Sequence, residues 1–312
     1  MVAAFWLAAS LYVRPIGQWT GLFLGSLLIA AVGFWDDGAN LKPWQKLLGQ
    51  VAAAALLVAG GTRIEFVTNP LGGMVYIGWW GVPLTIFWVT ALTNGMNFID
   101  GLDGLTAGIS AIAAVPLLII AGQRGHDDVV LLTVCLLGVA LGFLRYNFHP
   151  ARVFMGDAGA MFLGFMLGAI SVEGAMKGAA TMTLSIPLLT FGLPLFDTVC
   201  AVIRRRWNGR PIYEADAGHV HHRLLQLGFS HRRAVVFLYF VSALLGAVAL
   251  LLQKVPVEMR PYMMLPVIAG LAVGGHRLRI FDDRPAMETT PSDVGGKGGG
   301  GPTPRSSPGA SY

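Results

Sequence analysis

The sequence NGMNFIDGLDGLTAGISAIAAVPLLIIAG (residues 94–122) decides the fold class, because its second half can cross a lipid bilayer. Residues 105–122 carry no charged side chain, and about 20 mostly apolar residues of α-helix span a membrane. Nine further apolar segments follow the same pattern. We therefore predict an all-α polytopic membrane protein with about ten transmembrane helices. The ten segments cover residues 1–13, 20–35, 44–60, 83–99, 105–122, 129–147, 158–176, 181–203, 234–252 and 262–276.

The composition of the whole chain excludes the main alternatives to a membrane protein. Of the 312 residues, 54% are hydrophobic and 12% are charged, and the mean hydropathy is +0.63. A soluble domain carries roughly 25% charged residues, so this chain has too little charge for a soluble enzyme or a disordered protein. Cys135 and Cys200 lie inside apolar segments, which argues against a disulfide-stapled secreted domain and against a cysteine metal site.

The distribution of basic residues predicts the orientation in the membrane. If Met1 is inside and the segments alternate, most of the 22 Lys and Arg residues fall on one side, which the positive-inside rule makes cytoplasmic. The loop 204–233 is then cytoplasmic. We predict that residues 1–284 form the membrane domain and that the glycine-rich segment 285–312 is a disordered cytoplasmic tail.

One connection on the opposite side has strand character. Residues 61–82 contain two β-prone stretches, 64–68 and 74–80, on either side of Gly72 and Gly73. This pattern predicts a small extracytoplasmic β-hairpin.

The acidic side chains are few, and the predicted topology brings most of them to the cytoplasmic face. Each group alone has a structural explanation: a solvated helix end, a glycine-rich turn, or an N-cap at Asp157; for Asp197 we favour the structural role. Asn94, Asn97 and Asp100, however, recur on one helix face, and acids from separate helices at one membrane depth indicate a site. The acidic residues are Asp36, Asp37, Asp100, Asp103, Asp157, Asp197, Glu214 and Asp216.

Clustered carboxylates at a membrane face suit a divalent cation bound together with phosphate groups. Mg²⁺ is typically held by one or two carboxylates plus substrate phosphates, and it favours displacement at phosphorus. Lys46, Arg210 and Arg223 could contact a diphosphate. The histidines 219, 221 and 222 leave three alternatives open: a zinc site, a solvated loop, or an anion-binding cluster, which we favour because Arg223 is adjacent.

Four motifs in this order resemble the polyprenyl-phosphate N-acetylhexosamine-1-phosphate transferases. The resemblance covers roughly residues 20–280. It implies that a polyprenyl phosphate attacks the β-phosphorus of a UDP-N-acetylhexosamine and that UMP leaves, in a Mg²⁺-dependent step at the cytoplasmic face of the bacterial plasma membrane. The motifs are GFWDDGANLKPWQKLLGQ (33–50), TNGMNFIDGLDGLTAG (93–108), FLRYNFHPARVFMGDAGAMFLG (143–164) and PIYEADAGHVHHRLLQLGF (211–229).

The resemblance also implies roles for residues of this chain. Asp157 and Asp37 would hold Mg²⁺, or Mn²⁺ in its place, and Asp36 would handle the lipid phosphate. Asn97, Asp100 and Asp103 would lie on the nucleotide side and act in catalysis. The remaining substrate-binding residues would be Lys46, Gly101, Leu102, Phe154, His219, His221, His222 and Arg223.

The HVHHRL sequence resembles the branch of the family that uses UDP-N-acetylglucosamine and starts cell-envelope glycans such as teichoic acid or lipopolysaccharide. The acceptor would be undecaprenyl or decaprenyl phosphate, and a homodimer is compatible with this branch, whereas nucleic acid is not an expected partner. We expect in-line attack, with a two-step path through an aspartyl phosphate as the alternative.

Other interpretations stay open from the residues alone. They are transfer from UDP-muramoyl-pentapeptide or another UDP-sugar, a secondary transporter, and an inactive scaffold. Transporter sites usually lie near the midplane, whereas these acids lie at segment ends. The chain departs from the family at Ala160, where serine is common, and lacks a first helix that family members usually have, so we expect the true start to lie upstream.

Overall fold

A computed structural model describes residues 1–12, 17–68, 74–176, 185–209 and 218–278. This part of the chain is mostly helical and includes one two-stranded sheet. The helices are α1 (Val2–Ser10), α2 (Thr20–Ala39), α3 (Pro43–Ala59), α4 (Gly81–Ile99), α5 (Leu105–Gln123), α6 (Asp127–Asn147), α7 (Gly156–Met176), α8 (Ser185–Thr190), α9 (Gly192–Trp207), α10 (Val220–Gln226), α11 (His231–Leu252) and α12 (Arg260–Arg277); the strands are β1 (Phe66–Thr68) and β2 (Met74–Tyr76).

Six helices in the described ranges are long and apolar enough to cross a membrane: α2, α4 with the turn before it, α5, α6, α7 and α11. The chain is therefore a multi-pass membrane protein. Nine of the ten predicted apolar segments each coincide with one helix, but the predicted count of about ten spans is not confirmed. Helices α1, α3, α8 and α9 are shorter than 18 residues, and α12 falls outside the six by composition.

The predicted eighth segment, 181–203, is not one continuous helix. Helix α8 ends at Thr190 and α9 begins at Gly192 and continues to Trp207. Pro194 explains the break, because proline has no N–H to donate to the carbonyl of Thr190 four residues earlier. The chain therefore changes helix at Phe191, and α9 extends beyond the predicted end into what we expected to be loop.

The predicted hairpin is confirmed as a pair of short antiparallel strands. Phe66 pairs with Tyr76, Val67 with Val75 and Thr68 with Met74. The aromatic rings of the first pair lie 5.3 Å apart, which is a favourable cross-strand contact. The predicted turn at Gly72 and Gly73 and the predicted tail 285–312 lie outside the described residues.

Helix α7 forms the centre of the bundle. Side chains on all of its faces are fully buried, among them Phe162, Leu163, Phe165 and Met166. A helix that is apolar all round belongs in an interior, and α7 packs against α2, α4, α5 and α6. The first turn of α7, which contains Asp157, therefore lies in the middle of one end of the bundle.

Close contact between α2 and α7 depends on a glycine. A Cβ atom built at Gly33 would lie 2.5 Å from the Cα of Ala158 and 2.6 Å from its backbone N. Backbone atoms cannot move aside as a flexible side chain could, so only glycine permits this approach. The contact brings the end of α2 against the beginning of α7.

We expect Gly33→Ala to destabilise the protein by about 1–3 kcal/mol, the usual cost of overpacking, because the new methyl group would push α2 away from α7. Gly38→Ala on the same helix is the matched control, since a Cβ there meets nothing within 4 Å. Thermal unfolding in detergent measures both variants. Equal melting temperatures for the two would contradict the packing explanation.

Candidate active site

Three oxygen-bearing side chains from three helices surround the ammonium group of Lys46. Its Nζ lies 2.7 Å from Asp36 Oδ2, donates to Asn97 Oδ1 at 2.9 Å and forms a very short contact with Asp157 Oδ2. The Asn97 amide in turn donates to Asp157 Oδ1 at 2.9 Å. Because these residues come from α2, α3, α4 and α7, the predicted convergence of distant segments on one site is present in the structure.

Helical periodicity explains how α3 and α4 meet. Lys46 and Gln50 lie one turn apart on α3, and Asn94 and Asn97 lie one turn apart on α4. The Gln50 and Asn94 amides exchange two hydrogen bonds, of 3.1 and 2.5 Å, directly next to the Lys46–Asn97 contact. The polar stripe predicted on α4 therefore faces a matching polar stripe on α3, whose Gln50 the sequence did not indicate.

The adjacent carboxylates of α2 have different partners. Asp36 Oδ1 accepts the backbone N–H of Leu41 at 2.7 Å, which ties down the chain after α2. The Asp37 carboxylate accepts the backbone N–H groups of Asp157 and Ala158, at 2.7 and 3.3 Å. These N–H groups have no partner inside α7 because they belong to its first turn.

Gly156 permits this capping of α7. It has a φ of +65°, and a Cβ atom there would lie 2.6 Å from Asp37 Oδ2. Asp37 thus contacts the backbone N–H of Asp157, whereas the side chain of Asp157 lies next to the carboxylate of Asp36. The predicted pairing of Asp37 with Asp157 as metal ligands stays a prediction.

Asp100, at the end of α4, carries a negative charge at an electrostatic cost. Burial raises the pKa of this carboxyl to about 6, and the charges of Asp157, Asp37 and Asp103 contribute to the increase. The position therefore belongs electrostatically to the carboxylate cluster. Shifted carboxyl groups of this kind are typical of functional sites.

Asp103 is held by the segment that joins α6 to α7. Its Oδ2 lies 2.8 Å from His149 Nδ1 and accepts the backbone N–H of Ala151 at 3.1 Å. Burial alone would raise the pKa of Asp103, but these two hydrogen bonds outweigh it and hold the pKa below its usual value. The turn is braced again at Gly104, which contacts the side chains of Asn147 and Tyr239.

Asp103, His149 and His231 also form a possible divalent-metal triad, since their ligand atoms lie within 4.8 Å of one another. The two imidazoles are stacked, with centroids 4.1 Å apart and an interplanar angle of 18°. Nitrogen lone pairs lie in the ring plane, so stacked rings direct them to different points. Mg²⁺ also prefers oxygen ligands. We therefore assign these three residues to bracing the turn.

The predicted histidine cluster forms the start of α10 and packs on the same turn. His219 is buried and hydrogen-bonds Asp197, and its ring lies 5.6 Å from that of Phe98. His221 is 1% exposed, and a Cβ at Gly101 would lie 2.1 Å from its Nε2. Burial and the neighbouring histidines lower the pKa of His221 to about 3, so at neutral pH this ring offers hydrogen bonds but no charge to an anion.

The remaining predicted residues lie around these groups. Phe154 is 78% exposed in the loop before α7, whereas Leu102 is buried. The ring of His222 lies next to that of His221, with centroids 4.2 Å apart and planes tilted by 42°, and Arg223 follows on α10 and donates to Gln226. Arg210, Glu214 and Asp216 lie outside the described residues. Sequence reasoning assigned no role to Asn147, His149, His231 and Tyr239, although the first two lie inside a quoted motif.

Comparison with known proteins gives one family. The sequence profile of glycosyl transferase family 4 matches residues 19–175, a range that contains the whole carboxylate cluster and the Asp103 turn but not α10.

Individual relatives match more of the chain. A probable undecaprenyl-phosphate N-acetylglucosaminyl 1-phosphate transferase of Bacillus subtilis is 35% identical over 87% of this chain and 76% of its own length. A decaprenyl-phosphate N-acetylglucosaminephosphotransferase of Mycolicibacterium smegmatis is 38% identical over 68% of this chain and 58% of its own. A phospho-N-acetylmuramoyl-pentapeptide-transferase of Limosilactobacillus fermentum is 30% identical over 78% of this chain and 79% of its own.

We expect Asp100→Asn to raise the melting temperature above that of the unmodified protein at pH 7.5 while lowering activity. A carboxyl whose folded-state pKa is raised to about 6 stabilises the fold when protonated, and this contribution is lost as the pH rises through that value. The difference between the two proteins should therefore shrink as the pH falls from 7.5 to 5. Melting curves in metal-free buffer measure it; a difference that is constant or grows on acidification would contradict the assignment.

Proposed function

The chain belongs to glycosyl transferase family 4, and on that premise we propose that it transfers N-acetylglucosamine 1-phosphate from UDP-N-acetylglucosamine to a polyprenyl phosphate. An oxygen of the lipid phosphate attacks the β-phosphorus of the donor. The bond from this phosphorus to the oxygen bridging the two phosphates breaks, and UMP leaves with the bonding electrons. The product is a polyprenyl diphosphate-linked sugar, which begins a cell-envelope glycan, and the site faces the cytoplasm.

The oxygen cluster around Lys46 carries this proposal. Asp157, Asp36 and Asn97 already surround one cation, the Lys46 ammonium group. Carboxylate and amide oxygens are also ligands that Mg²⁺ accepts. The residues therefore fit a divalent cation, for which we propose Asp157 as the main ligand with Asp36 and Asn97 beside it, rather than Asp37, whose carboxylate accepts the backbone N–H groups of α7. Such an ion, Mg²⁺ or Mn²⁺, would neutralise charge on the diphosphate.

The residues of the chain supply positioning more than proton transfer. A phosphate monoester loses its second proton near pH 6, so the attacking oxygen is largely anionic at neutral pH. Asp36 is held by Lys46 and by the Leu41 N–H. It needs only to orient the lipid phosphate and to accept a proton from the minor fraction of that phosphate that is still protonated. Phosphoryl transfer depends mainly on such positioning and on electrostatic stabilisation.

The donor is assigned from the relatives and from α10. The relatives named as N-acetylglucosamine transferases are 35% and 38% identical, whereas the muramoyl-pentapeptide transferase is 30% identical. His219 and His221 lie against Phe98 and Gly101 at the end of α4. We place the nucleotide and its diphosphate between this histidine helix and the carboxylate cluster, with exposed Phe154 available to stack on the base.

A panel of donors tests the assignment. Purified protein in lipid nanodiscs should release UMP from UDP-N-acetylglucosamine only when undecaprenyl or decaprenyl phosphate and Mg²⁺ are both present. UDP-N-acetylgalactosamine and UDP-muramoyl-pentapeptide should give little release. Asp157→Asn should lower kcat/KM on the order of 100-fold, as expected for loss of an electrostatic contact to the reacting phosphates.

Release from UDP-muramoyl-pentapeptide in preference to UDP-N-acetylglucosamine would overturn the donor assignment. No release from any donor, together with uptake of a solute by proteoliposomes, would favour the transporter.

An isotope exchange experiment separates one-step from two-step transfer. We expect no exchange of labelled UMP into UDP-N-acetylglucosamine without lipid phosphate, because direct attack leaves no sugar phosphate on the enzyme. The assay with lipid phosphate added is the positive control. Exchange in its absence would require a covalent intermediate on one of the aspartates.

A further inference from the structure

Asp197, on α9, is a buried acid that the proposed chemistry does not use. It is 1% exposed, and both of its oxygens are engaged by the start of α10. Oδ2 lies 2.8 Å from His219 Nδ1, and Oδ1 accepts the backbone N–H of Val220 at 2.9 Å. A buried carboxylate is costly unless it is hydrogen-bonded, so this pair of bonds fixes α10 on α9.

These bonds select the state of the His219 ring. A carboxylate can only accept hydrogen bonds, so the hydrogen in the short contact belongs to Nδ1. In the neutral ring Nε2 is then the acceptor nitrogen. Asp197 therefore decides which nitrogen of His219 carries the hydrogen, as carboxylates do for histidines in other sites.

The effect extends from His219 to the end of α4. The centroid of the His219 ring lies 5.6 Å from that of the Phe98 ring and 5.9 Å from that of the His221 ring. The planes of the two imidazoles are parallel to within 2°. His221 lies directly over Gly101. Neither ring nitrogen of His221 has a hydrogen-bond partner within the described ranges, although buried polar groups normally have one.

We propose that Asp197 is a positioning residue of the donor site: its carboxylate holds His219 in one tautomer and places α10 so that His221 packs on Gly101, next to the site proposed for the diphosphate of the nucleotide sugar. This inference rests on the proposed function. It makes the acid a determinant of donor affinity, although it does not touch the reacting atoms.

Two substitutions at Asp197 remove its contact with His219 in different ways. Asp197→Asn keeps an oxygen for the Val220 N–H but turns an NH₂ group toward Nδ1, whereas Asp197→Ala removes both contacts. We expect both variants to raise the KM for UDP-N-acetylglucosamine about tenfold, the effect of losing one charge-assisted hydrogen bond, with kcat changed less than about threefold. Asp127→Asn, exposed at the start of α6, is the matched control and should change neither.

A spectroscopic measurement reads the tautomer without activity. With ¹⁵N-labelled histidine, the protonated and unprotonated nitrogen signals of His219 should exchange positions in Asp197→Asn, because Nδ1 must then accept. The His219→Gln variant with Asp197 intact identifies the signals of His219, because they are missing from its spectrum.

The outcomes distinguish this inference from the proposed function. An active unmodified protein with unchanged KM in Asp197→Asn, or unchanged His219 signals, would overturn the positioning role. A loss of kcat alone would also overturn it, since that is the effect of a smaller folded fraction. An unmodified protein that releases no UMP from any donor would overturn the proposed function, while the tautomer measurement would still test the contact itself.

Discussion

The site depends on one charge interaction, that of the Lys46 ammonium with oxygens of Asp36, Asp157 and Asn97. Two carboxylates brought together in a partly buried place repel each other, and a cation between them offsets this repulsion. Because each partner comes from a different helix, the same contact also joins α2, α3, α4 and α7 at one end of the bundle. The arrangement that we propose to receive a metal and a diphosphate is thus also part of what assembles the fold.

The short turn from Asp100 to Gly104 connects the two halves of the site. On one side Asp100 is electrostatically coupled to the carboxylate cluster; on the other, His221 packs on Gly101. Asp103 and Gly104 are held from behind by His149, Asn147 and Tyr239. These four side chains come from α6 and the segment after it, from α10 and from α11, so the turn is held where several helices meet.

Sequence periodicity predicted much of this and missed the rest for a definable reason. The apolar segments gave the helices, and the spacing of Asn94, Asn97 and Asp100 gave a polar face that indeed meets α3. The break at Phe191 was missed although Pro194 signals it. The capping of α7 by Asp37 and the pairing of Asp197 with His219 were not predictable, because they join side chain to backbone, or buried groups to each other, across long sequence separations.

The contact between Gly101 and His221 links two positions 120 residues apart. The imidazole fills the space that any larger residue at 101 would need, so a larger side chain there requires a smaller one at 221. We expect the residues at these two positions to covary among relatives of this chain. A combinatorial library that randomises position 101 alone would introduce side chains that clash with the imidazole, whereas one that varies both positions would also sample compensating pairs.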